Sequence, residues 1–225
     1  MSFGKSLLKA FGIIGLILVL GVSMNSCGFG GDSWKEEVLL HDGSRLIVKR
    51  SQSYGGRHEI GQSSSINEWS ITFELPSSKN SIAREERFDS EVGSASLGLL
   101  AVEVVKGTPY IVTDAWGCVS YNKWGRPNPP YVIFKYEGKA WQRISLEELP
   151  VEIKEANVIN NTNHHRHALA SHSGIVTANE IKELNGTYSR DVLYQKVFVR
   201  TPLPPGSIGV SCPDSSRYTN PKAPN

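Results

Sequence analysis

His164, His165 and His167, with His172 a few positions on, form the densest set of potential metal ligands in the chain. Imidazole is the commonest protein ligand for zinc, copper and nickel. On a strand, His165 and His167 would point the same way and could grip one divalent ion. Against that chemistry, the segment holds no Asp, Glu or Cys to complete a ligand set, and Arg166 interrupts it. Its flanks, Asn160 to Asn163 and Ser171 to Gly174, read as a solvated loop. The expectation is therefore no cofactor, with a divalent metal on His164, His165 and His167 as the alternative.

A second constellation is aromatic. Trp116, Tyr121 and Trp124 run into Arg126 and the proline run before Tyr131. Trp and Tyr on loops beside Asn, Lys and Arg make stacking platforms for sugars or peptides. Prolines would hold such a loop pre-ordered. The competing use of Trp116, Tyr121 and Tyr131 is core filling beside a disulfide. Trp124, between Lys123 and Gly125-Arg126, is the member expected to be exposed.

Hydrolytic machinery is harder to find. A nucleophile needs a base and an orienting group, and no Gly-x-Ser-x-Gly elbow is present; Gly93 to Gly98 misses its spacing. Glu36-Glu37, Glu85-Glu86 and Glu147-Glu148 are sequence neighbours, so on strands they face opposite ways. Solvated faces account for them. Phosphate-binding signatures and basic runs interleaved with aromatics are missing, which argues against nucleic acid.

Cys27, Cys118 and Cys212 are the only cysteines. Lys5 and Lys9 precede an uncharged run from Ala10 to Met24, the parts of an export signal. Asn25-Ser26-Cys27 directly behind it resembles the bacterial lipobox, which implies cleavage before Cys27 and its lipidation. Met24 and Asn25 depart from that pattern. The other reading is an uncleaved anchor, since Ala10 to Gly31 is nearly long enough to span a bilayer. Both readings export the rest of the chain into a compartment that permits disulfides. Cys118 and Cys212 are then expected to pair, a free nucleophilic Cys118 being the alternative. Zinc is disfavoured, because it prefers close cysteine pairs.

The elements that must position these residues read as mainly β. Trp34–Leu40 and Arg45–Arg50 flank Asp42-Gly43, a hairpin signal. A two-residue turn there sets Leu39 opposite Leu46, Val38 opposite Ile47 and Glu36 opposite Lys49. Trp69 to Leu75 alternates apolar with polar, a half-buried strand. Ser81 to Phe88 carries charges expected of an exposed edge. Ser96 to Val105 turns at Lys106-Gly107 into a partner strand, the expected central hairpin. Tyr131 to Ser145 turns at Glu137-Gly138, with Phe134 opposite Trp141. Ser145–Glu148 and Thr177–Glu180 are capping boxes. The second should open a helix to Leu184. Val192 to Arg200 reads as a last strand. Residues 201–225 hold six prolines, hence an extended tail pinned by Cys212.

Trp34 to Gly43, directly behind the lipobox-like segment, resembles uncharacterised lipoproteins of Gram-negative bacteria. So does Trp124 to Tyr131 running on to Trp141. The resemblance covers about a third of the chain and implies location; that group carries no assigned activity. Gly28 rather than Asp after Cys27 implies the outer membrane.

The whole reads as a signal peptide (1–26), a tether (27–33), one β-rich domain (34–200) and a Pro-rich tail (201–225). The fold expected is an antiparallel β-sandwich or small barrel with one or two short helices. The function expected is non-enzymatic: a lipid-anchored interaction or envelope-structural module facing the periplasm, whose partner is an envelope protein or glycan. The alternative is a periplasmic hydrolase or metal-binding protein. The formal charge of +2 carries no message about partners. It resides in Lys5 and Lys9; without residues 1–26, which hold no acid, 22 basic residues face 22 acidic ones.

Overall fold

The computed structural model describes residues 31–55, 60, 64–76, 78–187, 193–207 and 209–214. The export segment, Cys27 and the end of the tail lie outside the described residues. In chain order the strands are β1 (Gly31–Leu39), β2 (Arg45–Gly55), β3 (Ser65–Glu74), β4 (Ser81–Glu86), β5 (Phe88–Asp89), β6 (Ser94–Ala95), β7 (Leu97–Val105), β8 (Thr108–Ala115), β9 (Tyr131–Tyr136), β10 (Trp141–Ile144) and β11 (Ile175–Val176). The helices are α1 (Gly117–Lys123), α2 (Arg166–Ser171) and α3 (Ala178–Thr187). β1 thus takes in Gly31 to Ser33, which the sequence assigned to the tether.

One sheet runs β11-β1-β2-β3-β4 and a second runs β10-β9-β8-β7; β5 and β6 form a small ribbon. Alternation decides which side of each strand is buried. Val38, Leu46, Val48, Ile71, Phe73 and Ile82 of the first sheet share one core with Leu97, Leu99, Val102, Ile111, Val132 and Phe134 of the second. Two sheets, antiparallel except for the parallel β11–β1 pair, enclose a common apolar layer and make a β-sandwich, as expected. Among the described residues neither sheet closes into a barrel.

The second sheet is covered on its outer face too. Leu100, Val105, Val112 and Ile133 lie under Leu149, Ile153, Tyr194 and Phe198. This is why β7 is apolar almost throughout. A bulge between Leu99 and Ala101 lets it serve both layers. β7 is nonetheless the last strand of its sheet rather than a central one. Its open edge is closed by Asn157, whose N–H donates to Leu100 O at 3.3 Å. That N–H is the backbone one; the Asn157 side chain accepts from Val102 N–H at 3.0 Å and donates to Val102 O at 2.8 Å.

Two hairpin registers differ from the expectation. Val38 faces Leu46, Glu36 faces Val48 and Leu39 faces Arg45, one residue out of the two-residue-turn register. The ladder ends with Leu40 N–H donating to Ser44 O at 2.9 Å, so His41 to Gly43 form a three-residue loop. Gly43, at φ +83°, supplies the left-handed position that such a loop demands. His41 leaves the ladder because its N–H donates to the Glu103 carboxylate. In the third hairpin Glu137 N–H donates to Ala140 O, so the turn residues are Gly138-Lys139 rather than Glu137-Gly138. Trp141 therefore faces Tyr136, and Arg143 faces Phe134.

The Thr177 box closes both ways, Glu180 N–H donating back to Thr177 Oγ1 at 3.3 Å, while the Ser145 box shows one arm. Ser145 N–H donates to Glu148 at 2.8 Å, and Thr177 N–H to Glu180 at 2.7 Å. α3 runs past Leu184 to Thr187. Residues 193–200 do not form a strand: a 3-10 turn at Leu193–Gln195 leads to a single bridge between Glu155 and Val197.

Candidate functional site

Pairing across the first sheet lines up residues far apart in sequence. Asp32 faces Gln52, Gln52 faces Trp69, and Trp69 faces Glu86, one row over four strands. The next row is Trp34, Arg50, Ile71 and Arg84, and the one after it is Glu36, Val48, Phe73 and Ile82. The inner face therefore changes from apolar to polar toward the end where β1 begins. An open cleft of about 960 Å³ lies at that end. The residues around it come from both faces of that end of the sheet: Asp32, Gln52, Tyr54, Trp69 and Glu86 from the inner face, Ser33, Ser51 and Ser70 from the outer one.

Each polar group of the row is held from behind. Gln52 is 3% exposed; its amide donates to the Tyr54 hydroxyl and its carbonyl accepts from Thr162 at 2.7 Å. Burial pushes the Tyr54 phenol up to about 12, against the hydrogen bond from Gln52. The Arg166 guanidinium stacks 3.6 Å from the Tyr54 ring centroid and sets Nε 3.4 Å from Asp32 Oδ2. That oxygen is buried and takes no hydrogen bond among the described residues. Trp69 donates its indole N–H to Leu97 O at 2.6 Å.

Glu86 accepts from the Ser96 hydroxyl, which in turn accepts from the Trp124 indole at 3.0 Å. Burial holds the Glu86 carboxyl above the usual range, opposed by Ser96 and by Arg84 at 3.8 Å. Arg84, stacked 3.4 Å from the Phe134 centroid, is pushed down to about 10 by its own burial.

Deeper in the same face, Glu36 is fully buried. It accepts from Arg50 at 2.8 Å, from the Trp34 indole at 2.7 Å and from Ile159 N–H at 3.2 Å. Neither Glu36 nor Glu86 is on a solvated face, so that reading is corrected for both. Their neighbours point the other way, Glu85 into solvent and Glu37 onto Arg45.

Most of the aromatic segment lies inside the fold. Gly117 to Lys123 form α1, and Trp124, the residue expected outside, is 4% exposed in the shared core. Its ring meets Phe134 edge-on at 6.0 Å between centroids. Tyr121 and Tyr131 are equally buried, Tyr131 donating to Tyr194 O at 2.7 Å. Trp116 is half-buried against the core, its indole nitrogen 2.0 Å from where a Cβ on Gly98 would stand. Arg126 donates to Cys212 O at 2.8 Å and so ties down the tail. Cys118 and Cys212 are bonded, with Cα atoms 5.2 Å apart.

The histidines separate as well. Arg166 begins α2, so His165 and His167 are not strand neighbours sharing a side. His165 is buried with Nε2 3.1 Å from Leu184 O, and His164 packs edge-on against it at 4.9 Å. His164 and His167 are exposed. Among the described residues no three His, Cys, Asp or Glu side chains gather as a metal site.

His41 is joined to a buried acid. Its Nδ1 lies 2.9 Å from Glu103 Oε2, and the Asn157 amide donates to the same carboxylate at 3.1 Å. Burial raises the Glu103 carboxyl. This orients an imidazole, yet no described Ser, Thr or Cys is hydrogen-bonded to it, so the nucleophile of a hydrolase is missing there.

Sequence reasoning passed over Asp32, Gln52 and Tyr54 and set Glu86 on a solvated face. The only local sign of the row was alternation, which places a residue on a face without naming its cross-strand neighbour. No family model, no curated protein and no solved structure matches the chain.

Proposed function

We propose that this chain is an exported, lipid-anchored envelope protein whose sandwich acts as a binding module rather than a catalyst, with the cleft at the start of β1 as its ligand site. The observation that carries the reading is the position of that cleft. Gly31, Asp32 and Ser33 line it, and Cys27 is four residues upstream. Four residues reach at most about 14 Å, so with Cys27 lipidated the cleft opens close to the membrane surface. β1 then carries the Asp42-Gly43 loop away from it by about 27 Å.

The Cys118–Cys212 bond suits an oxidising compartment such as the periplasm. Gly28 after Cys27 favours the outer membrane over the inner.

Intact mass of the membrane-extracted protein tests the anchor. The expected species begins at Cys27, carries acyl chains and lacks the two hydrogens of the bridge. A chain beginning at Met1 with free thiols overturns the reading. For orientation, fluorophores at Glu68 and Asp42 are compared in vesicles holding a lipid-borne quencher. Stronger quenching at position 42 than at 68 contradicts a membrane-facing cleft.

A further inference from the structure

The outer faces of the two sheets differ. The second sheet lies under Leu149, Ile153, Tyr194 and Phe198, whereas Lys35, Leu39, Arg45, Ile47 and Lys49 of the first stand exposed. Register fixes who shares that exposed face. Lys35 is opposite Lys49, Glu37 opposite Ile47 and Leu39 opposite Arg45, with Ile175 beside Lys35. Leu39 and Ile47, 47% and 43% exposed, are thus diagonal neighbours and form one apolar patch.

The charges of this face are sorted by strand. β1 and β2 carry Lys35, Arg45 and Lys49 against Glu37; β3 and β4 carry Glu68, Glu74 and Glu85, while Arg84 faces inward. Arg45 is taken by Glu37, and Glu85 by Arg87 at 3.1 Å. Among the described residues this leaves Lys35 and Lys49 unpaired in one half, and Glu68 and Glu74 in the other. Lys35 and Lys49 stand directly opposite each other, and like charges so placed repel until an acid joins them.

We propose that the outer face of the first sheet is the interface of a homodimer, the basic half of each copy meeting the acidic half of the other. A two-fold axis parallel to the strands, above the middle of the sheet, produces that match. Small side chains in the centre, Ser51, Ser70, Thr72 and Ala83, allow two sheets to pack at their ordinary separation of about 10 Å. Strands of 9, 11, 10, 6 and 2 residues, rising about 3.3 Å per residue and about 4.8 Å apart, present about 600 Å². Two such faces bury about 1,200 Å², the lower end of the range for specific interfaces. The same axis sets both β1 starts at one end, as two chains anchored in one bilayer need; that point alone rests on the lipid-anchor reading. Asp32, Gln52 and Glu86 of the cleft lie on the other side of the sheet and stay clear of the contact.

The test is sedimentation of the full chain in detergent micelles at one fixed concentration. Wild type should run as a dimer. Lys35→Glu/Lys49→Glu makes both halves acidic, and Glu68→Lys/Glu74→Lys makes both basic. Each double variant should self-associate at least about tenfold more weakly. An equimolar mixture of the two should restore the dimer as a mixed pair. Thermal midpoints report that both variants keep the fold, and two chains sharing one micelle cannot imitate the pattern, since every variant keeps the same anchor. A monomeric wild type, double variants that dimerise like wild type, or a mixture that stays monomeric overturns the inference. If wild type is monomeric and a fluorophore at Lys49 is quenched by the lipid-borne quencher in vesicles, a membrane covers this face and the dimer falls. None of the sedimentation results requires a lipid on Cys27, so failure of the anchor in the intact mass is read separately.

Discussion

Trp124 shows how little a residue's sequence neighbours say about its exposure. Lys123 and Arg126 flank it, yet both turn outward, Lys123 to Asp89 at 2.6 Å and Arg126 to the tail carbonyls. The indole is left to fill the core and to donate to Ser96. That bond ends a chain of polar contacts at Glu86, and it is there that a titration is expected. Burial gives the folded protein a higher Glu86 pKa than the unfolded chain, whose value is near 4.5. The native state then binds more protons in the window between the two values, and stability falls as pH rises through it. Glu103 has the same sign. Urea midpoints of wild type and Glu86→Gln from about pH 4 to about pH 7 should therefore diverge. The variant should gain relative to wild type with rising pH, its slope flattened but not erased; parallel curves would refute the assignment to Glu86.

At the scale of elements, the edges of the sheets are where sequence and structure part most clearly. β7 is apolar enough to read as central, but it lies at an edge and is sealed by one amide. Asn157 also donates to Leu39 O at 3.2 Å, so it joins β1 of one sheet to β7 of the other. β4 is guarded differently, by the Trp141 indole donating to Ala83 O at 2.7 Å. Arg200 acts on loop backbone in a similar way, donating to the carbonyls of Leu149, Pro150 and Ile153. Asn157→Ala would strand the Val102 N–H and leave carbonyls and the Glu103 carboxylate short of a donor. Buried groups left unsatisfied cost about 1–3 kcal/mol each. Chemical denaturation should show a loss of about 2–4 kcal/mol, larger than for Asn161→Ala on the same segment. Hairpin existence, by contrast, was legible from Asp42-Gly43, Lys106-Gly107 and Glu137-Gly138, because turn chemistry is local. Register was not legible in two of the three, since a side chain such as Glu103 can capture a turn N–H from 62 residues away.

For the whole molecule the decisive covalent feature is the Cys118–Cys212 bond, which closes a span of 94 residues. A loop of that size restricts the unfolded chain by about 4–5 kcal/mol in the chain-entropy account. The tail it fixes is also held by Asn122 and Arg126, which donate to Pro213 O. Cys118→Ser should therefore lower the free energy of unfolding by up to about 4–5 kcal/mol. Its far-UV circular dichroism should remain that of the wild type, because both sheets lie outside the tail. A variant that lost its β signal would show that the bridge organises the sandwich itself.

By itself the sequence determined what depends on short stretches of chain: the β character, the turns, the two capping boxes and the availability of a cysteine pair for bridging. Period-two alternation and turn residues act over a few positions, so they can be read without a partner. Only the tertiary structure decided which polar residues go inside and beside whom. Asp32, Gln52, Trp69 and Glu86 are unremarkable one at a time and become a row through three strand pairings. The burial of Glu36 was equally illegible, because the Arg50 and Ile159 groups that satisfy it are 14 and 123 residues away. A buried charge is stable only with its partners in place, and those partners are set by register and packing rather than by neighbours along the chain.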